Sequence, residues 1–322
     1  MARERVRLSQ LKSHWPLYVL LLPALILIGL FMYYPAFSGI YYSFHTWNGD
    51  ELSTWVGLDN YIAAFSDKEL IHSFGVVGIL FVASLFKMIP SIVTAVVIHR
   101  ITSDRARYIY RLLFVVPMVI PWMVVLLIWK FFYDPLVGLL NSFLQATSLM
   151  ELLVSANSWL LEKGLVEAEV FVADSPPAWL GQTHLVLPAV IFWGFPWIGI
   201  IGVLIYLSGL EKIPTSVYEC ADLDGVGWLG KFFYIELPLI ATQVRVNLVL
   251  MIIGVLKGFG LILVLLGAEG GPGGAANVPG LYMYYNAFIE RRAGYACAIG
   301  ILLFFIIVIL TYINNKYVRV EK

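Results

Sequence analysis

The sequence predicts an all-α polytopic membrane protein with six transmembrane helices, and three observations predict it. The first is composition: the 322 residues are 60% hydrophobic and only 13% charged, where a soluble domain carries roughly a quarter charged residues. The second is patterning. The apolar residues gather into six runs, at residues 17–34, 74–98, 112–132, 185–207, 246–266 and 296–313. Each is long enough to cross a hydrocarbon core about 30 Å thick as a helix. Only helices and closed barrels satisfy their backbones in lipid, and barrel strands show no such runs. The third is the placing of Lys and Arg. Fourteen lie before the first run, in the second and fourth loops and in the tail; four lie in the first, third and fifth loops. That alternation places both termini in the cytoplasm of a multi-pass chain expected at the plasma (inner) membrane.

Each element has its own reason. Arg3, Arg5, Arg7 and Lys12 precede the first run, as in a signal peptide. The run is long, however, and Tyr33-Tyr34-Pro35-Ala36-Phe37 offers no small-residue cleavage site, so an uncleaved span is expected. Residues 41–70 form an outer loop with five carboxylates against Lys68. The second span carries Lys87, and a short basic loop with four arginines, residues 99–111, leads to the third. Lys130 stands at the end of that third span, where its ammonium can snorkel to water. Residues 133–184 carry six carboxylates against Lys163. Within them, residues 149–177 hold apolar clusters that predict short amphipathic helices on the outer rim. The fifth loop, residues 267–294, contains a Gly-rich outer turn, EGGPGG.

The fourth loop is the exception among the loops. Residues 213–238, IPTSVYECADLDGVGWLGKFFYIELP, read as a helix–turn–helix along one membrane face. Pro214 suits the first position of a helix, where its missing N–H would be unpaired anyway. Asp224-Gly225 supplies a stop, because Gly accepts the left-handed conformation that ends helices. Small Cys220 and Ala221 would let a partner approach closely, and Glu219, Cys220, Ala221, Asp224 and Gly225 are the residues presented.

This stretch resembles the loop that couples type I ABC-transporter permeases to their ATPases, in particular the sugar-permease branch with its maltose and glycerol-phosphate systems. The family pattern is Glu-Ala-Ala, a Gly six positions after the Glu, and then aliphatic-x-Leu-Pro. Glu219 and Ala221 match, with Cys220 at the first Ala position; Asp224-Gly225 and Ile235-Glu236-Leu237-Pro238 match the rest. The departures are Cys220, Val226 in place of a small residue and Glu236 in place of Thr, which bear on affinity for a particular ATPase. Tyr133-Asp134-Pro135, Gly138-Leu139-Leu140-Asn141, Trp193 to Pro196, Gly270-Gly271-Pro272 and Gly294-Tyr295-Ala296 also fit the family in order and spacing.

The resemblance implies the transmembrane domain of a type I ABC importer over residues 71–313, with an insertion near 149–177 and a coupling loop at 208–240. Residues 1–70 would add a cytoplasmic N-terminus, a first span and an outer loop, and residues 314–322 a cytoplasmic tail. It implies two ATPase subunits that hold ATP and Mg, a second, homologous permease subunit and an extracytoplasmic binding protein that delivers a sugar or related polyol or glycoside. It also implies a chain that is not itself an enzyme and holds no cofactor.

Bland readings stand beside these. Glu219 and Asp224 taken alone are solvated loop carboxylates; the matching Gly and Leu-Pro favour a coupling role. Lys87 and Lys257 lie within spans, where a charge costs about 2.5–3.5 kcal/mol on insertion scales. They either line a water-filled path, donating to substrate hydroxyls, or pair with a carboxylate or helix carbonyls of a partner subunit. GVGWLGKF, residues 225–232, fits a phosphate loop at seven of eight positions. Phe232 replaces the hydroxyl that such a loop needs for magnesium, and no strand precedes it. The histidines show no metal-ligand spacing, Cys220 and Cys297 no metal or disulfide spacing, and nothing points to nucleic acid. Other classes are a secondary transporter, for which paired short, broken spans are the mark and none is evident, and a membrane scaffold or receptor subunit.

Overall fold

A computed structural model describes residues 15–50, 53–164, 170–172 and 175–317. The basic residues before the first run, the end of the tail and parts of the 149–177 insertion lie outside them. The chain divides into two compact units, residues 1–66 with 286–301 and residues 67–285 with 302–322.

In the first unit, α1 (Trp15–Tyr42) is a continuous apolar helix with a wide π turn at Gly29–Tyr33. A short hairpin follows, β1 (His45–Trp47) and β2 (Ser53–Trp55), paired antiparallel in the register His45↔Trp55. The next helix, α2 (Asp59–Ser66), braces it: Asn60 Nδ2 donates to the carbonyls of Ser43 and His45, both at 2.9 Å. Gly294, near the start of the last helix, lies so close to this corner that a β-carbon would overlap the His45 carbonyl oxygen.

The second unit is built on α3 (Lys68–His99), capped by Asp67, which accepts from the backbone N–H groups of Glu69 and Leu70. Its 32 residues span about 48 Å at 1.5 Å per residue. Next come α4 (Asp104–Val115), extended to Val119 by a 3-10 turn, and α5 (Trp122–Phe132). The two are bent by 86°, so the third span is not one straight helix. Pro117 and Pro121 remove N–H donors, and Ile120, preceding proline, is extended at ψ 125°. Next are α6 (Leu139–Ala146) and α7 (Leu149–Glu162), the latter falling on the expected amphipathic insertion. Buried Asn141 donates to the carbonyls of Pro135 and Pro177, each at 3.1 Å, and accepts from Trp179 Nε1 at 2.7 Å.

The fourth apolar run divides into α8 (Thr183–Phe192) and α9 (Ile200–Leu210), separated by seven non-helical residues that include Gly194 at φ +78° and Pro196. A helical hairpin follows as α10 (Thr215–Leu223) and α11 (Trp228–Leu239), the latter containing a π turn at Phe232–Glu236. The fifth run is also divided, into α12 (Ala241–Lys257) and α13 (Gly260–Leu266), at an extended Gly258. The expectation that no paired broken spans exist is therefore corrected: hydropathy registers apolar length and is blind to where the backbone turns. The chain continues through α14 (Pro279–Phe288) into α15 (Ala293–Tyr317), which covers the sixth run without a break. Among the described residues, helices α1, α3 and α15 are each long and apolar enough to cross a bilayer, and up to seven spans follow if each bent helix pair counts as one; six follow if the third, fourth and fifth apolar runs are one span each.

A buried cluster joins α3 and α9: Ile92, Ala95, Val96 and Ile98 pack with Val203, Tyr206, Leu207 and Leu210. Ile213 and Ile240, at the two roots of this hairpin, belong to the same cluster, with Val217, Phe232 and Leu237 against it. The core thus lies where the hairpin meets the spans.

Candidate functional site

Pro214 takes the cap position, with extended ψ 141°, rather than the first helical position expected for it; α10 begins at Thr215. The helix ends in a Schellman motif. Val226 N–H donates to the Ala221 carbonyl at 2.9 Å and Gly225 N–H to the Asp222 carbonyl at 3.1 Å, with Gly225 left-handed at φ +69°. A β-carbon on Gly225 would meet nothing within 4 Å, so the constraint there is conformational, not steric. Across the turn Lys231 pairs with Asp222.

Helix α10 bends 76° from α9, and α11 bends 69° from α12, so both limbs turn sharply off the helices they connect. Glu219, Cys220, Asp224 and Gly225 are exposed. Ala221 is not: at 5% exposure it packs inside the chain, which corrects the expectation that it is presented to a partner. Its carbonyl serves the turn. The presented apolar residue is instead Leu223, 89% exposed and unremarked in the sequence. A leucine next to the helix stop, with carboxylates on either side, was the available signal.

The second feature the sequence did not disclose is a buried ion pair. Glu236 is fully buried in the π turn of α11, and Arg100, one residue beyond α3, grips both its oxygens: Nε to Oε1 at 2.8 Å and Nη2 to Oε2 at 2.7 Å. Arg100 Nη2 also donates to the Trp228 carbonyl at 3.1 Å, and the guanidinium lies 4.6 Å from the Trp228 ring centre. From α10, Tyr218 donates to Glu236 Oε1 at 3.4 Å and meets His99 Nε2 at 3.3 Å. Burial, with the nearby Glu236 charge, pushes the Tyr218 phenol up, so it remains a neutral donor. Arg111 pairs with Glu211, and Arg107 donates to the Ile101 carbonyl at 2.7 Å. The basic loop, read only as a topology signal, is thus largely committed to structure. The departure from Thr at Glu236 was the signal that a cation must lie nearby.

Lys87 sits half-buried on α3, opposite the break in the fourth run. Its Nζ reaches the Trp193 carbonyl at 3.4 Å and lies 5.8 Å from the Trp197 ring centre. Its carbonyl partner thus comes from its own chain. The Trp193 ring stands edge-on to Trp122 at 5.1 Å. Both indole N–H groups, of Trp193 and Trp197, are buried and have no hydrogen-bond partner among the described residues. An ammonium and flat aromatic faces suit a hydroxylated ligand. Ser91, one helical turn further along α3, accepts from the Gly199 N–H at 2.8 Å and fixes the far side of the break. Lys257 is exposed in the last turn of α12. At the opposite end of α3 from Arg100, an open cavity of about 460 Å³ is lined by Lys68, Glu69, His72, Glu269 and Asn277.

Long apolar helices, broken spans and a hairpin turned off the bundle define a multi-pass membrane transport subunit. The chain belongs to the family of binding-protein-dependent transport system inner membrane components, which matches residues 91–319. It is 30% identical to the probable ABC transporter permease protein YurN of Bacillus subtilis, over 95% of this chain and 96% of that one. It is also 30% identical to the multiple sugar-binding transport system permease protein MsmF of Streptococcus mutans, over the same shares. Among solved structures, its fold matches a chain of a bacterial ABC transporter involved in the import of the acidic polysaccharide alginate, with TM-score 0.75, 24% identity and 97% of each chain covered. The resemblance to type I ABC permeases is borne out, and the chain is a permease component of the inner membrane.

Proposed function

We propose that this chain is one of two permease subunits in an ATP-binding-cassette importer for a saccharide, or a related polyol or glycoside. One observation carries the reading: a hairpin turned 76° and 69° off its spans, its tip held by a Schellman turn and exposing Glu219, Cys220, Leu223 and Asp224. Such a tip suits a cleft on an ATPase, where Leu223 adds apolar contact and Glu219 charge-assisted hydrogen bonds. Two ATPase subunits would hold ATP and Mg; this chain supplies neither site. A second, homologous permease completes the path, and an extracytoplasmic binding protein delivers substrate at the outer end, near the cavity beside Lys68. Both termini and the hairpin face the cytoplasm. ATP-driven closure of the ATPases displaces the hairpin and rocks the spans between outward- and inward-open states. Lys87, with Trp193 and Trp197, lines the path; the ammonium and aromatic faces support a saccharide, as does the sugar-binding system named for MsmF. Lys257 is a second path residue, by its place at the end of α12.

Reconstitution with ATPases, the second permease and binding protein in proteoliposomes tests this. Uptake should require ATP and the binding protein, and Glu219→Lys should abolish it while the subunit remains inserted. Uptake driven by an ion gradient without ATP would favour a secondary transporter, the reading that the broken fourth and fifth runs support. Binding of partners without uptake would favour a scaffold.

A further inference from the structure

We propose that Arg100 and Glu236 are positioning residues that carry movement of the docking hairpin to α3, and through α3 to the substrate path. The inference rests on the transport reading above. Glu236 has no exposure and its two oxygens are both taken by one guanidinium. Arg100 reaches the beginning of α11 at Trp228 and its π turn at Glu236, while Tyr218 brings α10 to the same carboxylate. The α11 limb is thereby fastened directly, and the α10 limb through the Glu236 carboxylate, to Arg100, whose own N–H closes the last turn of α3 on the Val96 carbonyl at 3.0 Å.

Stability does not explain the choice of residues. Desolvation offsets much of the attraction in a buried ion pair, and well-packed apolar residues often hold a fold as well. What the guanidinium–carboxylate fork adds is a fixed direction: two parallel bonds resist rotation and sliding in a way an apolar contact does not. Packing alone already joins α3 to the hairpin roots through Ile98, Ile213 and Ile240; the ion pair converts that adherence into a stiff joint. The other end of the route is on the same helix. Lys87 lies thirteen residues before Arg100, about 20 Å along the axis, where it touches the Trp193 carbonyl. A displacement of the hairpin therefore moves α3, and with it Lys87 against the break in the fourth run.

The test uses the whole complex in proteoliposomes, comparing the wild type with the apolar pair Arg100→Met/Glu236→Met and the exchanged pair Arg100→Glu/Glu236→Arg. The readouts are ATPase subunits retained, ATP hydrolysed and substrate transported per ATP. The apolar pair should keep its ATPases and continue to hydrolyse ATP. Transport per ATP should fall by about tenfold, within the 5- to 150-fold range of ordinary site-to-site couplings. The exchanged pair should recover part of it. An apolar pair with wild-type transport per ATP would overturn the proposal. So would loss of assembly in both pairs, since the ion pair would then hold the fold and nothing more. Failure of the wild type to show ATP-dependent uptake would sink the transport reading itself, a separate outcome from either.

Discussion

Leu223 offers the sharpest test of the docking surface, because the chain itself makes so little use of it. At 89% exposure the side chain has almost no packing to lose, so Leu223→Ala should leave insertion and thermal stability within about 0.5 kcal/mol of wild type, as for a typical surface change. Docking is another matter. Truncation removes three carbons, each worth about 0.8 kcal/mol when buried. If the side chain is covered by an ATPase, the loss is about 2 kcal/mol, or roughly 30-fold in affinity at 1.4 kcal/mol per decade. Titrating the purified ATPase against nanodisc-embedded permease complex, by fluorescence anisotropy, measures that change. Leu223→Asp should weaken association further, since it puts a desolvated charge beside Asp222 and Asp224. Unchanged affinity in both variants, with normal uptake, would refute the placement of the interface at this tip. Ala221 could not serve this purpose: it is buried in the chain, so Ala221→Trp would disrupt the hairpin before any partner was met.

Gly225→Val should cost about 1–2 kcal/mol in the left-handed turn and reduce uptake, while Gly225→Asn, a residue that tolerates that conformation, should retain most of it; equal uptake by the two would show that the turn is unimportant. Lys87→Met should raise the uptake KM, or change the order of preference among saccharides, with assembly intact as judged by co-purified subunits. An unaltered substrate profile would remove Lys87 from the path. With Cys220 and Cys297 replaced, a cysteine at Glu162 should react with an impermeant maleimide on cells whose outer membrane is permeabilised. Reaction only after lysis of the inner membrane would reverse the topology.

The straight spans were legible in the sequence because composition alone defines them: α1, α3 and α15 each contain one of the apolar runs. The bends were not. Pro117, Pro121, Pro196 and Gly258 are visible, but proline and glycine also occur within intact helices, as Pro90 does in α3, and only the packing decides. The hairpin turn was legible because it is local: Gly225 and the carbonyls it satisfies lie within six residues. The orientation of α10 was partly hidden, since a smallness suited to a partner's approach is equally suited to burial, and Ala221 took the second course. The Arg100–Glu236 pair was out of reach. Its members are 136 residues apart, and the π turn at Phe232–Glu236 shifts the helical phase by a residue, so a wheel drawn at 3.6 residues per turn misplaces Glu236.

Asn141 has a consequence of another kind. Its hydrogen bonds to Pro135, Pro177 and Trp179 close the base of the long third loop, like a clasp at the neck of a bag. The chain thus enters and leaves this loop through a closure made by one buried amide. Doubling the length of such a loop adds only about 0.6 kcal/mol of closure entropy. A change in the length of this loop should therefore cost little, provided that Asn141 keeps its three partners.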